Sequence, residues 1–273
     1  MVYYLFFPCL LISKIATMNL AEVEFLKISS IIIIILLLLS ALLALIQSIK
    51  PIEPATFTST YQGAIRFNTF VSLSVVASVW NTTPLALEVA ALVVGIKVLL
   101  LNVLCVGSFT LYLKRSSSAL DSIKLTFKNP LILSCCLGLL LNATGLTIPS
   151  WLLITMDILG KVALPLGLLS VGAGLVIRYS DWLSYPIVLS TVIKLLVAPL
   201  LAFILGHLFA LDAISHQVLV ILFAMPTAIS AYILAGQLGG DQPTMAKIIT
   251  IQTLLSAATL SVILFWIASS PPL

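Results

Sequence analysis

The chain has 273 residues, of which 61% are hydrophobic and only 8% are charged, and its mean hydropathy is +1.24. Soluble domains are roughly half apolar and about a quarter charged, so this chain has too few charged side chains to cover a soluble surface. The composition excludes a soluble enzyme, a nucleic-acid-binding protein and a disordered chain. The net charge of +4 is also too small and too dispersed to indicate nucleic acid.

Nine apolar stretches are long enough to cross a membrane as helices, for which about 20 residues are needed. They lie near residues 2–18, 28–48, 62–80, 85–112, 129–147, 151–177, 184–209, 215–237 and 246–268. Their apolar runs are continuous and lack the period-two alternation of a transmembrane β-barrel. The predicted fold class is therefore an all-α polytopic membrane protein with nine spans.

The longest polar connection, residues 114–128 (KRSSSALDSIKLTFK), has four basic residues and one aspartate. Because basic loops stay on the inner side of a membrane, we predict that this linker is cytoplasmic and that the C-terminus lies outside. The same alternation predicts which charged loop residues share a side. Inside are Lys50, Glu53, Arg178, Asp181, Asp241 and Lys247, and outside are Glu22, Glu24, Lys27 and Asp212.

The two halves of the sequence repeat weakly. Pro8 and Pro165 both lie in an apolar span, and each is followed by leucine three residues later and by Ser13 or Ser170 five residues later. One intact span then separates each proline from a break-prone stretch, at residues 64–69 and 224–228. The predicted division is a first repeat of four spans (1–113), the linker (114–128) and a second repeat of five spans (129–273). Five spans per unit imply inverted repeats, as in secondary transporters, and predict that a first helix is missing before Met1.

Six segments resemble the auxin efflux carrier family, which includes bacterial malate and malonate permeases and plant auxin carriers. They are VYYLFFPCLLISKIA (2–16), YQGAIRFNTFV (61–71), GIKVLLLNVL (95–104), LGKVALPLGLLSVGAGL (159–175), KLLVAPLLA (194–202) and AMPTAISAYILAGQLGGD (224–241). The resemblance implies two inverted five-helix repeats, with a crossover formed by two broken helices. In this sequence those broken helices are the spans at 62–80 and 215–237.

A substrate site is predicted at this crossover. Proline lacks an amide hydrogen, so Pro226 breaks or kinks its helix, and each half-helix N-terminus presents free N–H groups and a partial positive charge to a carboxylate. Neutral hydrogen-bonding groups come from Asn68 and Thr69 in the first half, and from Thr227 and Ser230 in the second. The alternative is that Pro226 only kinks a packed helix.

The second proline pair, Pro8 and Pro165, is predicted to break helices as well. The segments with Ser13 and Ser170 are rich in small residues, which favours close helix packing. The alternative is that both serines line the substrate cavity.

Four basic residues lie within or near spans, where an unpaired charge is costly. Arg66 either snorkels toward the cytoplasmic loop or guides an anion. Lys161 either pairs with Asp157 one helical turn away or attracts an anion at the cavity mouth. We assign no role to Lys97, and we expect Lys194 on an outer scaffold helix.

The predicted function is a secondary transporter that moves a small organic anion, such as a dicarboxylate or an auxin-like acid, by alternating access. The alternative is a non-transporting or inactive membrane partner or fragment of the same fold. An enzyme is disfavoured, because the sequence lacks H-E-x-x-H, G-x-S-x-G and paired transmembrane aspartates.

We expect a multi-pass protein of the bacterial inner membrane that forms a homodimer and binds neither a metal nor a cofactor. Proton coupling stays open, and sodium coupling is disfavoured because no cluster of buried carboxylates resembles a sodium site.

Overall fold

The computed structural model describes residues 2–18, 24–80, 82–113, 130–173 and 183–269. Throughout these ranges the secondary structure is helical, with no β-strand. The helices are α1 (Phe7–Thr17, preceded by a π-helical turn at Val2–Phe6), α2 (Phe25–Ile49), α3 (Pro54–Ile65), α4 (Thr69–Val79), α5 (Pro84–Leu113), α6 (Pro130–Thr144), α7 (Ser150–Ala173), α8 (Tyr185–Leu208, with a π-helical turn at Ile193–Val197), α9 (Ala213–Ala224), α10 (Ser230–Leu238) and α11 (Gln242–Ser269). The chain is an all-α polytopic membrane protein.

Four of these helices, α2, α5, α8 and α11, are long and apolar enough to cross a membrane, while α1, α6 and α9 are shorter apolar helices. The helix α2 shows why such a helix suits a membrane. Ile28, Ile32 and Ile35 are buried on one face, whereas Ile33 and Leu37 are exposed on the other. A helix that is apolar all round suits a lipid environment rather than water.

Two of the predicted spans are each divided into a pair of short helices. The span near 62–80 is the pair α3 and α4, and the span near 215–237 is the pair α9 and α10. The first pair begins at Pro54 and not near residue 62, because the Glu53 carboxylate caps the helix by accepting a hydrogen bond from the Thr56 amide at 2.9 Å. The threonine, serine and glutamine residues of α3 lower its hydropathy, so the apolar stretch in the sequence begins later than the helix does.

The helices α1, α6 and α7 form a group that we call the α1 bundle. Its backbones approach closely at two glycines, since a Cβ atom built on Gly160 would lie 3.0 Å from the Leu10 Cα, and one on Gly138 would lie 2.9 Å from the Ile15 Cβ. The Asn142 amide donates to three carbonyls near the end of α1, the nearest being that of Met18 at 2.7 Å. These bonds satisfy carbonyls that a helix C-terminus leaves free.

A second group surrounds α3, which packs against α2, α5, α8, α10 and α11. We call this group, together with α4 and α9, the α3 bundle. Every residue of α3 from Phe57 to Ile65 is buried, including the polar Thr58, Ser59, Thr60 and Gln62. The most polar of the helices is therefore the most enclosed, which places its hydrogen-bonding groups inside the bundle rather than against lipid.

The predicted helix breaks at Pro8 and Pro165 are wrong. Pro165 lies inside the continuous helix α7, and Pro8 lies in the first turn of α1, directly after the π-helical turn. A proline removes one intrahelical hydrogen bond, and packing of α7 against α1 and α4 keeps the helix continuous despite that loss.

Two sets of loop residues meet at opposite ends of the α3 bundle. The Asp241 amide donates to the Ala55 carbonyl at 3.1 Å, so the loop before α11 lies beside the start of α3. At the other end the Glu24 carboxylate accepts from the Asp212 amide at 2.9 Å. These contacts bring together the loops of Glu53 and Asp241, and those of Glu24 and Asp212, as predicted. The predicted sides of Glu22, Arg178 and Asp181 concern residues outside the described ranges. Residues 114–129 and 270–273 lie outside the described ranges. The cytoplasmic location of the linker and the division of the chain into two repeats at residues 114–128 therefore stay predictions.

Substituting Gly160 by valine is expected to lower the melting temperature of the detergent-solubilised protein. The added side chain meets the backbone of Leu10, and overpacking of this kind costs about 1–3 kcal/mol. Gly107→Val is the matched control, because a Cβ atom there meets nothing within 4 Å. Equal melting temperatures for the two variants would contradict the close contact between α1 and α7.

Acid is expected to destabilise the protein through Asp241. Burial raises the pKa of this carboxyl, but hydrogen bonds from Thr244 and Thr56 and the nearby Lys247 outweigh that effect and hold the pKa below its ordinary value. A lowered native pKa stabilises the fold above the unfolded pKa, and this stability is lost as the pH falls through the native pKa. Asp241→Asn should therefore melt lower at neutral pH and show a flatter acid dependence. An equally steep acid dependence would argue against this role.

Candidate functional site

The break between α3 and α4 comprises residues 66–68, where Asn68 acts as the cap of α4. Its side-chain oxygen accepts hydrogen bonds from the amides of Phe70 at 3.1 Å and Val71 at 3.3 Å. Asparagine is among the preferred residues at a helix N-cap because its side chain satisfies amides that the helix leaves free. Asn68 is 2% exposed and Thr69 is 8% exposed, so this N-terminus is closed by its own side chain.

The break between α9 and α10 comprises residues 225–229 and contains Pro226, as the sequence predicted. The helix ends at Ala224, Met225 is extended, and α10 begins at Ser230. The preceding Ile229 has no side-chain cap hydrogen bond. In contrast to Asn68, Ser230 is exposed. The N-terminus of α10 therefore lacks the side-chain cap that closes α4, although the amides of Ala231 and Tyr232 donate to the Ala228 and Ile229 carbonyls at 3.0 Å.

The two breaks are joined directly, and we call residues 66–68 and 225–229 together the crossover. The Asn68 amide donates to the Pro226 carbonyl at 2.7 Å. The Thr227 hydroxyl lies 2.7 Å from the Gly63 carbonyl and 3.3 Å from that of Arg66. Asn68, Thr69, Pro226 and Thr227 are thus brought together from residues far apart in sequence.

Gln252 of α11 completes this set and was not predicted from the sequence. Its amide nitrogen donates to the Gly63 carbonyl at 3.0 Å, and its amide oxygen accepts from the Thr227 amide at 3.0 Å. The side chain is fully buried. The available signal was a lone glutamine inside an apolar span, where a buried amide needs hydrogen-bond partners.

Arg66 neither snorkels to a loop nor points freely toward the site. Its guanidinium donates to the Asn102 side-chain oxygen at 2.9 Å and to the Cys105 sulfur at 3.3 Å. Both partners lie on α5, so the positive charge of Arg66 is held beside the crossover.

Two buried lysines lie in the same bundle. Lys97 of α5 donates to the Leu222 carbonyl at 2.7 Å, in the last turn of α9. Lys194 is 1% exposed, and its helix α8 packs against α3 and α9. The expectation that Lys194 lies on an outer scaffold helix is therefore wrong.

The other predicted site residues lie in the α1 bundle, away from the crossover. Lys161 is exposed and pairs with Asp157 at 2.9 Å. Lys14, which was not predicted as a partner, pairs with the same carboxylate at 3.0 Å. This geometry favours the ion-pair alternative for Lys161. The Ser13 hydroxyl donates to the Leu10 carbonyl of its own helix, and the side chain of Ser170 lies outside the part that the structure describes.

Within the described ranges, no three histidine, cysteine, aspartate or glutamate side chains come together in a group that could hold a metal ion. The site at the crossover consists of backbone groups, hydroxyls, amides and basic side chains, which are donors suited to an anion.

A family model described as membrane transport protein matches residues 114–264, more than half of the chain. The chain belongs to the auxin efflux carrier family. The match to this auxin efflux carrier domain includes α6 to α10 and most of α11, and therefore contains Pro226, Thr227 and Gln252. No curated protein matches the chain. Family and fold together identify a multi-pass membrane protein of a transport family.

In this member of the auxin efflux carrier family, Thr227→Val is expected to destabilise the crossover. The change keeps the shape of the side chain but removes one of the two donors to the Gly63 carbonyl, and the loss of one intramolecular hydrogen bond costs about 0.5–1.5 kcal/mol. Thr253→Val is the matched control, because the Thr253 hydroxyl bonds only within its own helix, to the Ile249 carbonyl at 2.7 Å.

Thermal unfolding in detergent measures both variants, alone and combined with Gln252→Leu. We expect the losses from Thr227→Val and Gln252→Leu to be non-additive, because the two side chains share one carbonyl. Additive losses, or a Thr227 variant as stable as the Thr253 control, would show that this network contributes nothing.

Proposed function

We propose that the chain is a secondary transporter that moves a small organic anion, such as a dicarboxylate or an auxin-like acid, by alternating access. The observation that carries the proposal is the difference between the two half-helix N-termini at the crossover. Asn68 occupies the amides at the start of α4, whereas the start of α10 has no side-chain cap and opens at the exposed Ser230.

A carboxylate fits this open end. The first turn of a helix carries a partial positive charge, and such ends bind anions in many proteins. The amides of Ala231 and Tyr232 already donate to backbone carbonyls, so the Ser230 amide is the one that we propose for the ligand. The hydroxyl of Ser230 adds a donor. Arg66, Lys97 and Lys194 add positive charge around the crossover, and no salt bridge to an acidic residue is found for them within the described ranges. An anionic substrate offsets that excess charge.

Transport requires the site to face each side in turn. We propose that the α3 bundle, which contains both breaks, moves against the α1 bundle, and that the α1 bundle forms the contact between two copies in a homodimer. The setting is a bacterial inner membrane, with the linker 114–128 in the cytoplasm and the C-terminus outside. No cofactor is needed, since the membrane potential alone favours anion exit by about 2.3 kcal/mol per 100 mV, and proton coupling remains a second mode.

Flux into proteoliposomes tests this proposal, with radiolabelled malate, malonate and indole acetate as probes and an imposed membrane potential. We expect flux of at least one probe that increases when the potential favours it. Ser230→Ala should raise the half-saturating concentration roughly tenfold or more, as expected for one hydrogen bond to a charged group. Ser78→Ala is the matched control, because Ser78 is exposed and its hydroxyl bonds only to the Ser74 carbonyl of its own helix.

Asn68→Ala and Pro226→Ala probe the two breaks in the same assay, and both are expected to reduce flux. Unchanged transport in both variants would place the substrate elsewhere. If folded protein moves none of the three probes at any potential, the result favours the alternative of a non-transporting or inactive membrane partner of the same fold.

A further inference from the structure

Lys97 lies fully buried at the point where both breaks meet. Its ammonium group donates to the Leu222 carbonyl at 2.7 Å. It also lies 4.1 Å from the centre of the Phe67 ring and 3.8 Å from that of Phe223. Phe67 belongs to the first break, while Leu222 and Phe223 end the helix that precedes the second.

These three groups are what a cation needs in the absence of a carboxylate. The last carbonyls of a helix lack intrahelical partners and carry a partial negative charge. Aromatic faces attract cations within about 6 Å, and more strongly where water is excluded. Such compensation is required, since a charged group buried without it is costly.

The other half-helix C-terminus at the crossover is satisfied without any charge. The Gly63 carbonyl of α3 accepts from Thr227 and Gln252, both neutral. The C-terminus of α9 therefore differs from that of α3 in holding a cation. Lys194 provides a second contrast, because it is equally buried but has no hydrogen bond or ring contact within the described ranges.

We propose that the Leu222 carbonyl and the rings of Phe67 and Phe223 form a cation site at the crossover, and that the Lys97 ammonium is its permanent occupant. The carrier then binds its anion without a cation from solution. This inference deepens the proposed transport function, because it defines the ion requirement of the same site, but the cation site itself exists whether or not the chain transports.

Chemical rescue tests the site. Lys97→Ala removes three carbons and the ammonium group, which n-propylammonium replaces. We expect the purified variant in detergent to melt several degrees below the parent and to recover most of that loss in millimolar propylammonium chloride. It should not recover in choline chloride of equal concentration or in 1-propanol, which has the shape but not the charge. The parent should respond to none of these.

Two further variants keep the test decisive. Lys97→Met fills the space without the charge, so it should melt lower than the parent and fail to respond to propylammonium. Lys194→Ala is the matched buried-lysine control and should not be rescued. The proposal is overturned if Lys97→Met is as stable as the parent, or if 1-propanol rescues Lys97→Ala as well as propylammonium does.

The parent protein alone tests the ion requirement. We expect malate, malonate and indole acetate to stabilise it, and to be transported, equally well in sodium chloride and in choline chloride. A requirement for sodium would overturn the proposal. If propylammonium rescues Lys97→Ala while the parent transports none of the probes, the cation site stands and the proposed function fails.

Discussion

The structure depends on one constraint, which is that backbone polar groups exposed by a broken helix must be satisfied where no water is available. Two broken helices present four such ends at the crossover. Three are already occupied: Thr227 and Gln252 bind the end of α3, Asn68 binds the start of α4, and Lys97 binds the end of α9. The start of α10 is left without a side-chain cap. The proposed carboxylate site lies at this fourth end.

Most side chains that bind these helix ends come from helices distant in sequence. This distance limits how much of the crossover could be predicted from the sequence. Apolar length predicted the spans, and proline chemistry together with the family resemblance predicted the break at Pro226 and its partner near Asn68. A lone glutamine in an apolar span indicates that Gln252 needs hydrogen-bond partners. The partners of Gln252 and Lys97 were not predictable, because each contact joins positions more than a hundred residues apart.

The errors in the sequence prediction have the same origin. Pro165 has the same chemistry as Pro226, but it lies in a helix held on two sides by α1 and α4, so its lost hydrogen bond does not end the helix. For Lys161 the sequence left two alternatives open, and the structure favours its ion pair with Asp157. The second partner of that carboxylate, Lys14, lies in the other half of the chain and was not predicted. The residue type indicates that a proline can break a helix or that a lysine can bind an anion, and the packing around the residue decides whether it does.

The contacts between the two bundles differ in kind from those within them. The hydrogen bonds of Asn142 and the ion pairs of Asp157 stay within the α1 bundle, and those of Thr227, Gln252 and Lys97 stay within the α3 bundle. Across the boundary the Phe7 ring stacks on the Phe70 ring with centroids 4.6 Å apart, and a Cβ atom on Gly95 would lie 2.8 Å from the Cys135 sulfur. Apolar contacts of this type are non-directional, so the bundles can shift without breaking a hydrogen bond at these contacts. The polar network holds the crossover together as one unit, and these described contacts join that unit to the α1 bundle through apolar groups.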